Sequence, residues 1–194
     1  MNRVLISVVT KGNVSAETCG WLVAFAASQP HHAVDIVSTP LPLVHARNLS
    51  VKRFLGTTCT QYYTLDADCV PAPKTIERLL AYELPVVVSP HACSINGETG
   101  VMACDRTPEG YVQHHPMEGL RRVDAVGGSG VMIKREVIEK LGAPWYMMEY
   151  DANGLLSCGE DFYLSRRLTE AGYEIWADFT LVQWHKGVRQ WPTT

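Results

Sequence analysis

The chain has no C-x-x-C pair, no internal repeat, no low-complexity segment and no large surplus of either charge. Its six cysteines, at 19, 59, 69, 93, 104 and 158, mostly sit beside apolar residues in a chain large enough to be stable without crosslinks. They read as free thiols of a reducing cell interior. A net charge of −3 and a pI near 6.1 exclude a general attraction to nucleic acid or to anionic membranes, leaving only local basic patches open. The opening run MNRVLISVVTKG is too short and too rich in β-branched residues for a signal peptide or a membrane anchor. A cytoplasmic protein without a membrane span is the expectation.

What is there suits one globular domain over 1–194, since 46% apolar residues can bury a sizeable core. Val4 to Thr10 runs without polar alternation and reads as a fully buried strand. Ser15 to Gln29 reads as a helix, with Ser15 as cap, Glu17 in the first turn and Pro30 as the stop. Ala33 to Ser38 follows as a strand, Leu43 to Leu55 as a helix, Gln61 to Leu65 as a strand and Pro73 to Tyr82 as a helix, with Val86 to Ser89 continuing the sheet. This β-α-β-α-β-α-β order predicts a parallel, doubly wound, Rossmann-like half over residues 1–90. Residues 91 to 122 lack periodicity and read as loop or short hairpin. Val123 to Val126, the glycines 127, 128 and 130, the strand Val131 to Lys134 and a helix from Arg135 to Leu141 then add a second apolar layer.

Chemistry gathers at three places. Asp66 and Asp68 end the third strand, and ligands of open α/β sheets collect beyond such strand ends. Carboxylates there can hold a divalent metal against a diphosphate, although Asp-x-Asp also occurs by chance and can simply cap a turn. Glu160 and Asp161 open a helix, where they either favour the macrodipole or do acid–base work. Asp161 shares a face with Leu164, Ser165 and Leu168, which points its carboxylate inward and leaves Glu160 to one side. A helix start is expected to lower the Asp161 pKa. His185 stands near the chain end, a place where a lone histidine is more often structural than a ligand.

The blocks HARNLSVKRFLG, YYTLDADCVP, VDAVGGSGVMIKREVIEKLG and GEDFYLSRRLTEAGYEIWAD followed by WH resemble, in order and spacing, the glycosyltransferase A fold and within it the family 2-like enzymes, including short versions from phage and microbial genomes. The resemblance covers nearly the whole chain. It implies an α/β fold with a mostly parallel central sheet flanked by helices and a small additional sheet, a nucleotide-binding half over 1–90 and an acceptor and catalytic half over 91–194. The implied activity is transfer of a sugar from a UDP- or GDP-sugar to a hydroxyl acceptor, with Mn²⁺ or Mg²⁺. Thr10, Lys11 and Gly12 would meet base and ribose, and Arg47 and Asn48 would flank base or diphosphate. Asp68 would bind the metal, Asp66 ribose or a metal-bound water, and His185 would complete the coordination. Asp161 would be the base of an inverting displacement, with Glu160 beside it, and Asp124 would contact the donor sugar.

Several residues keep two readings. Gly127, Gly128 and Gly130 either let a sugar approach the backbone or make a tight turn. Trp145 and Tyr146 are either a platform for a ring or core. His31, His32, His91, His114 and His115 have no ligand spacing and read as surface or loop residues. The tail with Arg189 and Trp191 either folds over the diphosphate or frays. Arg121, Arg122, Lys134, Arg135, Arg166 and Arg167 are solvated charges or a patch for a polyanionic acceptor such as hydroxymethylated DNA; a glycan or a small molecule are the other acceptors. Two other functions compete. One is a haloacid dehalogenase-like phosphatase with Asp66 as nucleophile and Asp68 as acid or base, although that motif normally ends the first strand. The other is a catalytically silent nucleotide-sugar binding module.

Overall fold

The computed structural model describes residues 2–95, 98–115 and 118–186. Its first half follows the predicted alternation: β1 (Val4–Thr10), α1 (Ala16–Ser28), β2 (Ala33–Ser38), α2 (Leu43–Leu55), β3 (Gln61–Asp66), β4 (Cys69–Val70), α3 (Thr75–Ala81) and β5 (Val86–Val88). The second half adds β6 (Ala92–Ile95), β7 (Glu98–Thr107), β8 (Gly110–His114), β9 (Leu120–Val123), β10 (Ala125–Val126), β11 (Val131–Lys134) and α4 (Arg135–Leu141). It ends with β12 (Glu149–Tyr150), β13 (Leu156–Cys158), α5 (Glu160–Glu170), β14 (Ile175–Asp178) and β15 (Trp184–His185).

Seven strands form the central sheet in the order β2-β1-β3-β11-β5-β14-β9. Five of them run one way, while β11 and β9 run against their neighbours. Both faces are covered, as a mostly parallel sheet requires. Val51 and Phe54 of α2, Val137 and Ile138 of α4, and Leu164 and Leu168 of α5 pack on one face with Leu5 and Tyr62. Leu22 and Phe25 of α1 and Ile76 and Leu79 of α3 pack on the other with Val4, Ile6, Val8 and Tyr63. Adjacent strand residues thus go to opposite cores, which is why β1 is apolar at nearly every position. Each fully buried Val, Leu or Ile contributes about 1.5–3 kcal/mol. The Ser15 hydroxyl accepts the Thr18 N–H at 3.1 Å and caps α1 as expected.

Four expectations change. β5 does not lie beside β3, because β11 inserts between them antiparallel to both. Val131, Met132 and Ile133 are all buried, and a strand apolar on both faces belongs inside a sheet. α3 begins at Thr75 and excludes Pro73 from its first turn, because Lys74 takes a left-handed φ of 60° and the Thr75 hydroxyl donates back to the Ala72 carbonyl at 2.7 Å. Where loop or a short hairpin was expected, β6, β7 and β8 form an antiparallel sheet that β10 completes in the order β10-β7-β6 with β8 on β7, and β9 is an edge strand of the central sheet. The predicted strand Val123 to Val126 breaks at Asp124. β9 joins β14 in the central sheet, and β10 joins β7 in the small one. This small sheet is the additional sheet of the expected architecture, and the central sheet draws strands from both halves of the chain.

Candidate functional site

β3 stays buried up to Leu65, and its last residue, Asp66, emerges at the strand end. The Asp66 N–H donates to the Ser129 hydroxyl at 3.0 Å, Ser129 donates to Gln183 Oε1 at 3.1 Å, and Gln183 Nε2 donates to the Ser89 carbonyl at 2.6 Å. These buried bonds tie the ends of β3 and β5, the turn before β11 and the approach to β15 into one rigid floor. β4 pairs antiparallel with β15, setting Cys69 opposite His185. His185 Nε2 lies 3.3 Å from Asp68 Oδ2. The two side chains are 30% and 50% exposed, so a ligand can reach them.

Ligand atoms of Asp68, Cys69 and His185 all lie within 4.8 Å of one another. Burial, followed by the charge of Asp66, pushes the Cys69 thiol well above its ordinary pKa. Cys69 is fully buried while Asp68 and His185 are partly exposed, so the carboxylate and imidazole are the accessible donors. Oxygen and nitrogen donors at a partly open strand end suit Mn²⁺, and the carboxylate also suits Mg²⁺. The residues present therefore fit a divalent cation.

Arg47, on α2, is buried to 3% exposure and touches three partners. Its Nη2 meets Asp66 Oδ1 at 2.9 Å, its Nε meets Glu160 Oε1 at 3.3 Å, and its Nη1 donates to the Gly128 carbonyl at 2.9 Å. Burial works against this charge, but Asp66, Tyr146 and Glu160 overcome it and raise the pKa above its ordinary value. Arg47 thus links the acidic strand end to the start of α5. A Cβ on Gly128 would overlap the guanidinium, so that glycine makes room for Arg47, whereas Gly130, with φ +84°, makes the turn into β11. The Asp66 oxygen Oδ2 has no protein partner among the described residues.

Glu160 is 8% exposed and pairs with Arg47, so it faces inward as well and is not left to the side, while Asp161 is half-buried. Asp161 follows it, with Oδ1 accepting the Phe162 N–H at 2.8 Å. Its pKa is raised to about 6, by burial first and by the Glu160 charge second. This corrects the expected lowering: the amides of the helix start act in the predicted direction and are outweighed. The Asp161 carbonyl accepts the Ser165 hydroxyl at 3.0 Å, and Ser165 Oγ accepts the Val126 N–H at 3.2 Å, fixing α5 against β10.

The other predicted residues fall in different places. Thr10 is buried at the end of β1, where Oγ1 donates to the Asn13 carbonyl at 2.9 Å and accepts the Gly12 N–H at 3.1 Å; Lys11 and Gly12 are exposed beside it. Asn48 is occupied by protein. Its Nδ2 donates to the carbonyls of Val44 and Tyr146 at 2.9 and 2.7 Å, and its Oδ1 accepts the N–H groups of Trp145 and Tyr146 at 3.1 and 3.2 Å. Such saturation assigns Asn48 to holding the 145–146 backbone. Asp124 is half-buried at the β9–β10 break and accepts the Arg106 N–H at 2.8 Å.

Trp145 and Tyr146 are core, at 6% and 1% exposure, and the indole donates to the Ile138 carbonyl at 2.9 Å. The six basic residues do not share one task. Arg135 donates to the carbonyls of Phe54, Thr57 and Cys59, Arg167 to those of Leu141, Gly142 and Pro144, and Arg166 grips Glu149 at 2.7 and 2.8 Å. Arg189 and Trp191 lie outside the described residues. His31 and His115 are exposed, His32 accepts the Val4 N–H at 3.2 Å, and His114 faces Asp105 at 3.2 Å. His91 departs from the surface reading: it is 9% exposed and packs edge to face on His185, with ring centroids 5.5 Å apart. No spacing rule could have found it, because it precedes β6 while His185 lies in β15.

No protein-family model and no curated protein matches the chain. Among solved structures it is similar to A197 from STIV, with a TM-score of 0.69 and 20% identity over 94% of this chain and 85% of that one. It is also similar to GalNAc-T7, whose crystal structure holds UDP, GalNAc and Mn²⁺, with a TM-score of 0.58 and 13% identity. That match covers 95% of this chain but 43% of GalNAc-T7. With the sheet order above, these likenesses establish the glycosyltransferase A fold.

Proposed function

We propose that the chain is a cation-dependent glycosyltransferase that moves a sugar from a UDP- or GDP-sugar to a hydroxyl acceptor with inversion. The observation that carries this reading is the meeting of Asp68 and His185, far apart in sequence, at 3.3 Å on the strand end where this fold binds nucleotides. Asp68 and His185 would hold Mn²⁺ or Mg²⁺, and Asp66 Oδ2 would take ribose or a cation-bound water. A cation there supplies positive charge against the departing diphosphate. Thr10, Lys11 and Gly12, at the neighbouring strand end, would meet base and ribose. Asp124 and the Gly128 backbone would border the sugar.

The proton of the acceptor hydroxyl goes to Asp161. A carboxyl with a pKa of about 6 is ionised at neutral pH, yet it is a stronger base than an ordinary aspartate. Arg47 holds Asp66 and Glu160 in place, so the donor side and the base side keep one spacing. The anchoring of Arg135, Arg166 and Arg167 on protein groups favours a glycan or small hydroxyl acceptor over a polyanion. Engagement of Asp66 Oδ1 by Arg47 also disfavours a phosphatase nucleophile at that position. A cytoplasmic site of action accords with the reduced cysteines; among the described residues no helix is long and apolar enough to cross a membrane.

The deciding experiment incubates the protein with UDP- and GDP-sugars and Mn²⁺ without acceptor and measures nucleoside diphosphate release. Slow hydrolysis of at least one donor, abolished by Asp68→Ala, is expected. Donor binding without hydrolysis or transfer would leave a binding module. Phosphate release from a generic ester, abolished by Asp66→Asn, would favour the phosphatase.

A further inference from the structure

His91 and His185 belong to segments that are locked together. A parallel bridge joins His91 to Gln183, the Gln183 N–H donates to the Pro90 carbonyl at 2.8 Å, and the Ala92 N–H donates to the Gln183 carbonyl at 3.1 Å. The two rings meet edge to face, with centroids 5.5 Å apart at an interplanar angle of 71°. Each ring has a buried Nδ1 with no hydrogen-bond partner among the described residues. Unpaired buried nitrogens are unfavourable, and two adjoining ones call for an explanation. The position of His91 is also shaped from the other side: a Cβ on Gly127 would collide with the His91 ring, so the glycine leaves space for it.

An imidazole that ligates a cation through one nitrogen is usually oriented by a hydrogen bond from the other. His185 turns Nε2 toward Asp68, which makes Nδ1 the nitrogen that needs an acceptor. His91 is not in the cluster of Asp68, Cys69 and His185 that could hold a cation, while its ring packs on that of His185. We propose that His91 is a positioning residue for His185: its unprotonated Nδ1 accepts the Nδ1–H of His185 through one buried water, and so holds His185 Nε2 free to bind the cation. His91 then carries its proton on Nε2. No bond other than hydrogen bonds changes. The proposal rests on the reading of Asp68 and His185 as a cation site.

The test measures Mn²⁺ affinity of the full chain by calorimetry for wild type, His91→Phe and His91→Asn. Phenylalanine keeps a ring and removes the acceptor; asparagine offers an acceptor oxygen near the same place. His91→Phe is expected to weaken Mn²⁺ binding about 10- to 100-fold, the usual loss for a partner behind a metal ligand, with no fall in the Tm of the cation-free protein. His91→Asn should restore most of the affinity. If His91→Phe folds poorly, nitrogen-resolved NMR of the wild-type histidines with Zn²⁺ decides, and His91 should then carry its proton on Nε2 and leave Nδ1 as an acceptor. Unchanged Mn²⁺ affinity in a folded His91→Phe, or a His91 protonated on Nδ1 with Zn²⁺ bound, would overturn the role of His91 alone. Failure of the wild type to bind Mn²⁺ would overturn the cation site as well.

Discussion

Two ion-pair systems meet at the end of β3, and they are built in opposite ways. Arg47, Asp66 and Glu160 form a closed triad around a guanidinium that is 4% exposed, with the Gly128 carbonyl taking a further N–H. Asp68 and His185 form an open pair at the surface, with His185 also carrying an unpaired Nδ1. A closed system has spent most of its polar capacity on the protein and chiefly holds geometry, with one Asp66 oxygen left over. An open one has capacity left for a ligand. The division runs through the Asp-x-Asp motif itself, since Asp66 belongs chiefly to the first system and Asp68 to the second.

The largest effect that would sharpen this contrast is on stability. Arg47→Met leaves Asp66 and Glu160 partly buried without their cation and should cost about 3–5 kcal/mol, read as a lower urea midpoint. Asp68→Ala, at an exposed site, should change stability by about 0.5 kcal/mol or less. If the two variants unfolded alike, the triad would not be the structural half of the site.

Ligand binding should show the reverse order. Asp68→Ala and His185→Ala should each abolish the Mn²⁺-dependent rise in Tm given by a binding UDP- or GDP-sugar, and EDTA should do the same to the wild type. A donor-induced shift that survives both variants would move the cation elsewhere.

Next comes the base. Asp161→Asn should lower transfer about 10²- to 10⁴-fold with donor binding intact. In the wild type, transfer should rise with pH through about 6, as the carboxyl loses its proton. The same group affects stability with a definite sign. Its folded pKa is raised, so its contribution is fully present below the ordinary aspartate pKa and is lost as pH climbs through about 6. Asp161→Asn should therefore raise the Tm more at pH 8 than at pH 4, a modest effect measured by thermal unfolding. The smallest effect expected is at the periphery: Glu149→Gln breaks a half-exposed pair with Arg166 and should cost about 1 kcal/mol or less.

Much of the fold was legible locally. The bounds of β1, β2, α2, β11 and α4 match the hydrophobic pattern, and Ser15 caps α1 as its type suggests. These elements are decided by side-chain periodicity and by the nearest backbone amides, both of which are sequence-local. The small sheet was not legible, because β6, β7 and β8 are held by pairing with one another and alternate too briefly between buried and exposed residues. The Arg47 triad was half legible: its residues were singled out, but Arg47 and Asp66 as ligand contacts and Glu160 as a neighbour of the base. Nothing in the spacing of positions 47, 66 and 160 says that one guanidinium reaches both acids.

By itself the sequence determined the α/β class, the acids at the end of β3 and at the start of α5, and the histidine of β15, because residue type and local period suffice for these. Only the tertiary structure decided that β11 separates β3 from β5, that Asp66 is held by Arg47 while Asp68 stays open, that the Asp161 pKa rises and does not fall, and that the His91 ring packs on His185. Each of these depends on what a distant segment brings within a few ångströms. Burial, electrostatic coupling and hydrogen-bond pairing all act over that range in space, whatever the separation along the chain.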